Sequence, residues 1–367
     1  MKKMYKEQNL ENAHLQGFSL NKEPFIWDNY SDQPHVIRDK VYKKAMRKKH
    51  LFDYVKLFFT SIIVLPISIV LMKLFKGNEK LEYGIGVNLD KGEEQYALVE
   101  ELGVKHLIIR MPLWEMHRIE EYIDFVKKFI QQDNEIKILL NIMQDREHIE
   151  NKELLKKNIK IIFEKFSSFV EEYQIGSTIN RSKWGFFSVS EYLKFYKTVQ
   201  NIRDEFFKDL KLLGPSVIDF EYYYTARALF NLEDIKYDKH SSLLYVDRRG
   251  SPYNTQYGVF DTKNKVDLLY SLTKLSWKAS NEIYITEVNW PISNTAPYAP
   301  TSEHECISEE EYKKYMLEYH EIIKGTKKIK RVYWHQLIAP GYGLVDNRDG
   351  KLRKMPAFQT YKKMIND

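Results

Sequence analysis

Carboxylates and arginines stand at the ends of short apolar runs along this chain, where they could do acid–base and anion-binding chemistry. Glu287 falls near the end of EIYITEV (282–288), Asp219 and Glu221 follow LKLLGPS (210–216), and Asp247 closes SLLYVD (242–247). A carboxylate so placed acts as nucleophile, base or proton donor according to whether its surroundings hold the charge or expel it. Asp247 is followed by Arg248 and Arg249, whose charges would depress its pKa and make it a poor donor. Glu221 precedes three tyrosines, a partly apolar setting that could raise a carboxyl pKa, whereas an ion pair with an arginine such as Arg227 would do the reverse. Arg110, Arg181, Arg248 and Arg249 lie at or just after such run ends. Guanidinium forks bind carboxylate or phosphate bidentately. Four at one rim would favour an anionic ligand, although structural ion pairs would account for one or two.

A parallel α/β barrel is the architecture that would gather them. From residue 82 onward, strand-like runs at 83–89, 104–110, 136–142, 172–178, 210–216, 242–247, 282–288 and 331–337 alternate with helical periodicity. Helices are expected over 93–102, 119–130, 152–169, 190–207, 263–279 and 308–323. Eight such strands predict a closed (β/α)8 TIM barrel over residues 80–367 rather than an open doubly wound sheet, and a barrel of this kind uses about 250 residues as one unit. Its site would lie at the C-terminal strand ends. That rim collects Asn88, Asp90, Arg110, Asn141, Thr178, Asn180, Arg181, Asp219, Glu221, Asp247, Arg248, Arg249, Glu287, Asn289, Trp290, Trp334, His335 and Gln336. The Pro-rich, aromatic stretch from Asn289 to Cys306 is expected as an ordered loop over the mouth.

The run ITEVNW (285–290) resembles the nucleophile strand of clan A retaining glycoside hydrolases, in which a Glu ends strand seven. Arg110 in IIRMPLW is similar to the strand-two arginine beside that nucleophile, and Trp334 in VYWHQ to the aromatic residue that floors the sugar subsite. The resemblance implies a glycosidase-like barrel acting on carbohydrate without cofactor or metal, with Glu287 as nucleophile or base. It also carries a departure. The family's proton donor is a Glu after Asn at the end of strand four, and IGSTINRSKWGF (175–186) puts Ser177 and Thr178 there. Retaining hydrolysis needs two carboxyl groups about 5–5.5 Å apart, and threonine cannot replace one. Glu221 is then the candidate second catalytic group, a tyrosine nucleophile is a further option, or the chain binds glycan, or serves as a partner subunit, without turnover. Arg110, Asn141, Asn180, Arg181, Asp247, Arg248, Asn289, Trp290, Trp334, His335 and Gln336 are expected to contact substrate. The layout also resembles two-component hydrolases that trim Kdo from lipopolysaccharide, which implies an acidic envelope glycolipid as substrate and a second hydrolase subunit as partner.

Upstream, LFFTSIIVLPISIVLM (57–72) carries no charge. With Lys73 snorkelling, the span reaches residue 75 and approaches the ~20 residues that cross a bilayer. A single transmembrane helix at 57–75 is therefore expected between a basic segment at 1–56 and the barrel. Arg38, Lys40, Lys43, Lys44, Arg47, Lys48, Lys49 and Lys56 precede it, against Lys76, Lys80 and Lys91 after it. The positive-inside rule predicts a single-pass protein of the inner (cytoplasmic) membrane, with a cytoplasmic N-terminus and a periplasmic or other extracytoplasmic barrel. The apolar run starts too deep for a cleaved leader. The N-terminal segment is expected to be partly disordered, with a basic amphipathic helix near residues 38–50.

Composition supports a large folded unit: 43% hydrophobic and 29% charged residues exclude both disorder and a polytopic membrane protein. The net charge of +6 is concentrated before the apolar run and gives no sign of nucleic-acid binding. Cys306 is alone, which excludes an internal disulfide, and it lacks zinc-site spacing. Neither GxGxxG nor GxxxxGK[ST] occurs to suggest a nucleotide site.

Overall fold

The computed structural model describes residues 23–366, apart from the Arg248 side chain, so expectations for residues 1–22 fall outside the described residues. Eight parallel strands close into a barrel: β1 (Glu82–Val87), β2 (His106–Pro112), β3 (Lys137–Met143), β4 (Glu172–Ile175), β5 (Lys211–Ile218), β6 (Lys239–Leu243), β7 (Ile283–Val288) and β8 (Arg331–Trp334). Closure comes from β8 on β1, with Arg331 opposite Glu82 and Trp334 opposite Ile85. The apolar runs locate every strand, but the sixth is displaced toward KHSSL, a polar sequence. It is stable as a buried strand because its side chains are paired. Ser216 and Ser241 hydroxyls are 2.6 Å apart, and His240 Nδ1 is 2.7 Å from Thr273 Oγ1.

The helices are α1 (Lys40–Lys49), α2 (Leu51–Leu71), α3 (Glu94–Leu102), α4 (Ile119–Gln132), α5 (Arg146–Glu150), α6 (Lys152–Phe166), α7 (Val189–Phe206), α8 (Tyr222–Leu229), α9 (Thr262–Leu275), α10 (Glu309–Thr326) and α11 (Pro356–Asn366). Local chemistry sets several of their starts. Ser188 caps α7, Ser308 and Glu311 form a capping box at α10, and Pro356 opens α11. Helix α8 is not among the helices expected from periodicity; its start is rich in tyrosine, a residue type enriched in strands.

Strand alternation fills the interior in layers. On β2, His106, Ile108 and Arg110 occupy successive levels. At the floor, Arg331 Nη1 and Nη2 bond Glu172 (3.0 Å) and Glu82 (2.6 Å), and Lys239 Nζ bonds Glu172 (2.6 Å). Ile108, Leu139, Leu213, Tyr284 and Tyr333 form the layer above. Gly84 makes room for Tyr333, since a β-carbon there would lie 2.5 Å from its ring. The polar site forms the top.

The described part of the N-terminal segment packs on the barrel instead of standing apart from it. Residues Trp27–Asp28 and Gln33–Pro34 pair as a short antiparallel ladder. This strap is held by a cluster of Phe25, Trp27, Ile37, Met46, Trp114, Met143, Trp184 and Phe187. Helix α1 falls within the expected 38–50. Helix α2 starts and ends earlier than the expected 57–75 and is long and apolar enough to cross a membrane. One of its faces lies along α8 and α9, with Leu57, Val64 and Leu65 against the core and Ser68 buried.

Candidate active site

Glu287, near the end of β7, sits in a pocket of about 230 Å³ at the barrel mouth. Tyr245, just past β6, donates from Oη to Glu287 Oε1 at 2.5 Å, and Arg110 Nη2 donates to Oε2 at 3.0 Å. Burial alone would raise the Glu287 pKa, but the charge His335 carries when protonated, the Arg110 guanidinium and the Tyr245 hydrogen bond outweigh it and hold the carboxyl below its ordinary value. Burial lowers the pKa of His335 itself to about 4. At neutral pH it is therefore a neutral imidazole whose Nε2 accepts from Arg110 Nη2 at 3.1 Å, and Arg110 supplies the lasting charge. Glu287 is thus an ionised carboxylate, suited to act as a nucleophile or base.

The N-terminal strap adds a carboxylate that nothing in its local sequence signals. Asp32 Oδ2 accepts from Arg110 Nη1 at 3.0 Å, from Gln336 Nε2 at 3.0 Å and from Asn88 Nδ2 at 3.2 Å. One guanidinium therefore bridges Asp32 and Glu287. Burial opposes ionisation of Asp32, but Arg110 and Lys91 lead the interactions that hold its pKa low. Gln33 Nε2 donates to Pro300 O at 2.8 Å, tying the strap to the loop after β7 at the barrel mouth. That loop is ordered, as expected, and contributes Pro300 and Thr301 to the pocket wall.

Arg181, Lys183 and Arg249 line the same pocket, giving with Arg110 four cations against the three carboxylates Asp32, Asp219 and Glu287. Arg181 bonds Asp219 (2.7 Å) and Glu221 (2.6 Å). Arg249 lies over the Tyr245 ring, 3.5 Å from its centroid, and its buried Nη1 has no hydrogen-bond partner among the described residues. An orphaned guanidinium N–H beside a pocket is the donor an anionic ligand would satisfy. Thr178 stands where the family resemblance expects a proton donor. It is buried, lines the pocket and takes a left-handed backbone with φ 53°. A β-branched residue in that region carries strain, held here by Gln144, which accepts from Ser177 N at 2.9 Å and donates to Ser177 O at 2.8 Å.

Of the expected contacts, Arg110, Arg181, Glu287, Asn289 and His335 line the pocket, and Gln336 orients Asp32. The others are placed differently. Glu221 lies outside the pocket wall, bonded by Arg181 and by Asn180 Nδ2 at 2.8 Å, so its partner is Arg181 rather than Arg227. Asn180 ties the β4 loop to Ile218 of β5, and Asn141 accepts from Gln174 inside the barrel. Asp247 starts the turn that carries Arg249 inward but does not line the pocket. The Arg248 side chain is outside the described residues. Trp334 does not floor the site, because alternation along β8 turns Tyr333 and His335 inward and Trp334 outward. Trp334 is fully buried against Trp290, their ring centroids 5.8 Å apart, and donates to Tyr312.

An adjoining pocket of about 350 Å³ shares Asp32 and Arg110 and is also lined by Trp27, Trp114 and Glu115. Burial pushes the Glu115 pKa from 4.5 up to about 7, against hydrogen bonds from Tyr122 Oη (2.6 Å) and Arg118 Nη1 (3.2 Å). A carboxyl whose folded pKa is raised holds its proton more tightly when folded, so stability declines as pH rises toward and through that value. Glu115→Gln is expected to stabilise the protein by on the order of 2–3 kcal/mol above pH ~8 and to change little below pH ~4. Denaturant midpoints at the two pH values check this.

No protein-family model matches this chain, and no curated protein matches its sequence. Among solved structures, the virulence factor SghA from Agrobacterium tumefaciens is similar with a TM-score of 0.55 at 10% identity, covering 81% of this chain and 99% of its own. A monomeric β-xylosidase from Caulobacter crescentus CB15 has a TM-score of 0.54 at 13% identity, covering 78% and 69%. The glycoside hydrolase family 30 subfamily 8 xylanase Xyn30A from Clostridium acetobutylicum has a TM-score of 0.51 at 10% identity, covering 79% and 72%. At these identities the likeness is one of fold, the (β/α)8 barrel.

Proposed function

We propose that this chain is a membrane-attached, glycoside hydrolase-like protein whose pocket takes a terminal acidic sugar of an envelope glycan or glycolipid, of the lipopolysaccharide or Kdo type, with Glu287 as nucleophile or base. The observation that carries the reading is an ionised Glu287 in a cation-rich pocket at the C-terminal end of a glycosidase-type barrel. The pocket volume falls below the roughly 300–1,000 Å³ of drug-sized sites, which suits one sugar residue rather than a chain segment. Arg181, Lys183 and Arg249 Nη1, which has no hydrogen-bond partner among the described residues, are the groups that would hold a sugar carboxylate.

A second reading has specific support. Thr178 replaces the expected acid, and each pocket carboxylate besides Glu287 is paired to an arginine and so suited to hold charge rather than donate a proton. A glycan-binding chain that completes its chemistry with a partner subunit accounts for both facts. The two readings separate on purified protein. Release of an acidic sugar from envelope glycolipid by the chain alone supports the enzyme. Binding without release, converted to release by a second polypeptide, supports the subunit.

Burial, then the charge of Arg181, lower the Lys183 pKa to about 8. The Lys183 cation is present below that pH and lost above it. Affinity for an acidic monosaccharide is therefore expected to fall about tenfold as pH rises through that value, and Lys183→Arg should flatten the profile. Calorimetric titration across the pH range, with a neutral hexose as control, checks it.

A further inference from the structure

We propose that α2 lies flat in the membrane interface, one face on the barrel and the other in lipid, so that the strap and the barrel share one side of the bilayer. This rests on the membrane-attachment part of the proposed function and is independent of Glu287.

The inner face of α2 is fastened at several points. Ser188 and Ser190 donate to Asp53 (3.0 and 2.6 Å), Tyr54 Oη donates to Phe187 O (2.8 Å), and Ser271 Oγ donates to Ser68 O (2.8 Å). Its outer face is a continuous exposed stripe, with Phe59 55%, Ile63 60% and Val70 75% accessible. A helix apolar all round needs a nonpolar neighbour on every side. Protein supplies one side of α2, and nothing among the described residues covers the other. The stripe continues onto the barrel flank, where Leu232 and Trp277 are exposed and share with Phe52 and Phe59 a groove of about 850 Å³. Soluble monomers rarely expose contiguous apolar patches of this kind.

Charge identifies the occupant as a bilayer. Helix α1 leads directly into α2 and presents Lys40, Lys44, Arg47, Lys48 and Lys49 to solvent, and Lys76 is exposed just beyond the far end of α2. Cations flanking an apolar stripe match anionic headgroups around a buried hydrocarbon contact. Crossing the bilayer is incompatible with the fastening. The chain before α2 is seated on the barrel mouth through Trp27 and Asp32, and a crossing helix would carry it to the opposite side.

The test uses the purified full-length chain with phosphatidylcholine vesicles, with and without phosphatidylglycerol. Wild type is expected to sediment with both and more tightly with the anionic ones. Lys44→Glu/Arg47→Glu/Lys48→Glu should weaken binding to anionic vesicles at least about tenfold, while Ile63→Glu/Ile67→Glu should abolish binding to both. All these positions are exposed, and circular dichroism checks that the variants fold. In a Cys306→Ser background, Asn29→Cys and Asp349→Cys are then labelled in cells with a membrane-impermeant maleimide. Labelling of both from one side supports the flat helix, and labelling from opposite sides overturns it in favour of a span. Failure to bind any vesicle overturns membrane attachment itself. Self-association through the stripe without vesicle binding would assign that face to a protein partner and overturn the proposal.

Discussion

Glu287→Gln is expected to fold like the wild type and to lose roughly 10³-fold or more of any sugar-releasing activity. Glutamine keeps the shape of the side chain: its oxygen can accept from Arg110 while its amide nitrogen donates to the Tyr245 hydroxyl, so the pocket keeps its walls. The negative charge and one acceptor are lost. Arg110 is not left unpaired, because Asp32 remains on its other nitrogen at 3.0 Å. A large kinetic effect with little change in melting temperature would therefore isolate the role of the carboxylate. The comparison variant is Asp32→Asn. Asp32 is a positioning residue that acts through Arg110, so its loss should shift the pH profile of activity rather than abolish turnover.

The largest effect on stability is expected at the opposite end of the barrel. Arg331 is buried between Glu82 and Glu172 and faces the rings of Tyr284 and Tyr333. Arg331→Met would leave two partly buried carboxylates without their main counter-charge, and breaking a buried network from one side costs about 3–5 kcal/mol. Measured against a total of roughly 5–15 kcal/mol, that is enough to unfold a marginal protein at growth temperature. The pH dependence adds a second signature. Burial raises the pKa values of Glu82 and Glu172, but Arg331, the strongest opposing charge on each, helps bring them below the ordinary value. Carboxyls lowered in this way stabilise the fold above their unfolded pKa and lose that contribution as pH falls. Without Arg331, acid unfolding should begin at higher pH. Urea midpoints at neutral and mildly acidic pH test both parts.

The barrel was legible because its strands are apolar runs of the right length between amphipathic helices. Glu287 and Arg110 were legible because a charged residue at the end of such a run has nowhere to go but the mouth. What escaped did so for physical reasons. Trp334 looks like a subsite floor by its place in VYWHQ, but a one-residue change of parity on a strand reverses the face, and His335 takes the position. Tyr245 lies within an apolar run and reads as core, yet its hydroxyl is the closest partner of Glu287. Glu221 has the apolar surroundings of a candidate acid, but the β4 loop brings Arg181 within 2.6 Å of it. Asp32 had no local signal at all. It reaches the site only because aromatic residues of the strap pack against Trp114 and Trp184, a long-range contact that charge and hydropathy patterns do not encode.

The strap also changes how the apolar helix is understood. Flanking charges alone favour a span with the N-terminal segment on the far side. With the fastening through Tyr54, Ser68 and Asp32, the proposed flat placement gives the same residues a different role, in which the basic helix would face headgroups while the strap lines the pocket.

The proposed role of Glu287 is chemical action on an envelope glycan, alone or with a partner subunit. The most direct measurement is mass spectrometry of envelope glycolipid from cells lacking this chain, complemented with wild type or with Glu287→Gln at equal abundance. Wild type is expected to remove the mass of one terminal acidic sugar, and Glu287→Gln to leave it in place. Restoration of the wild-type spectrum by Glu287→Gln would contradict that role.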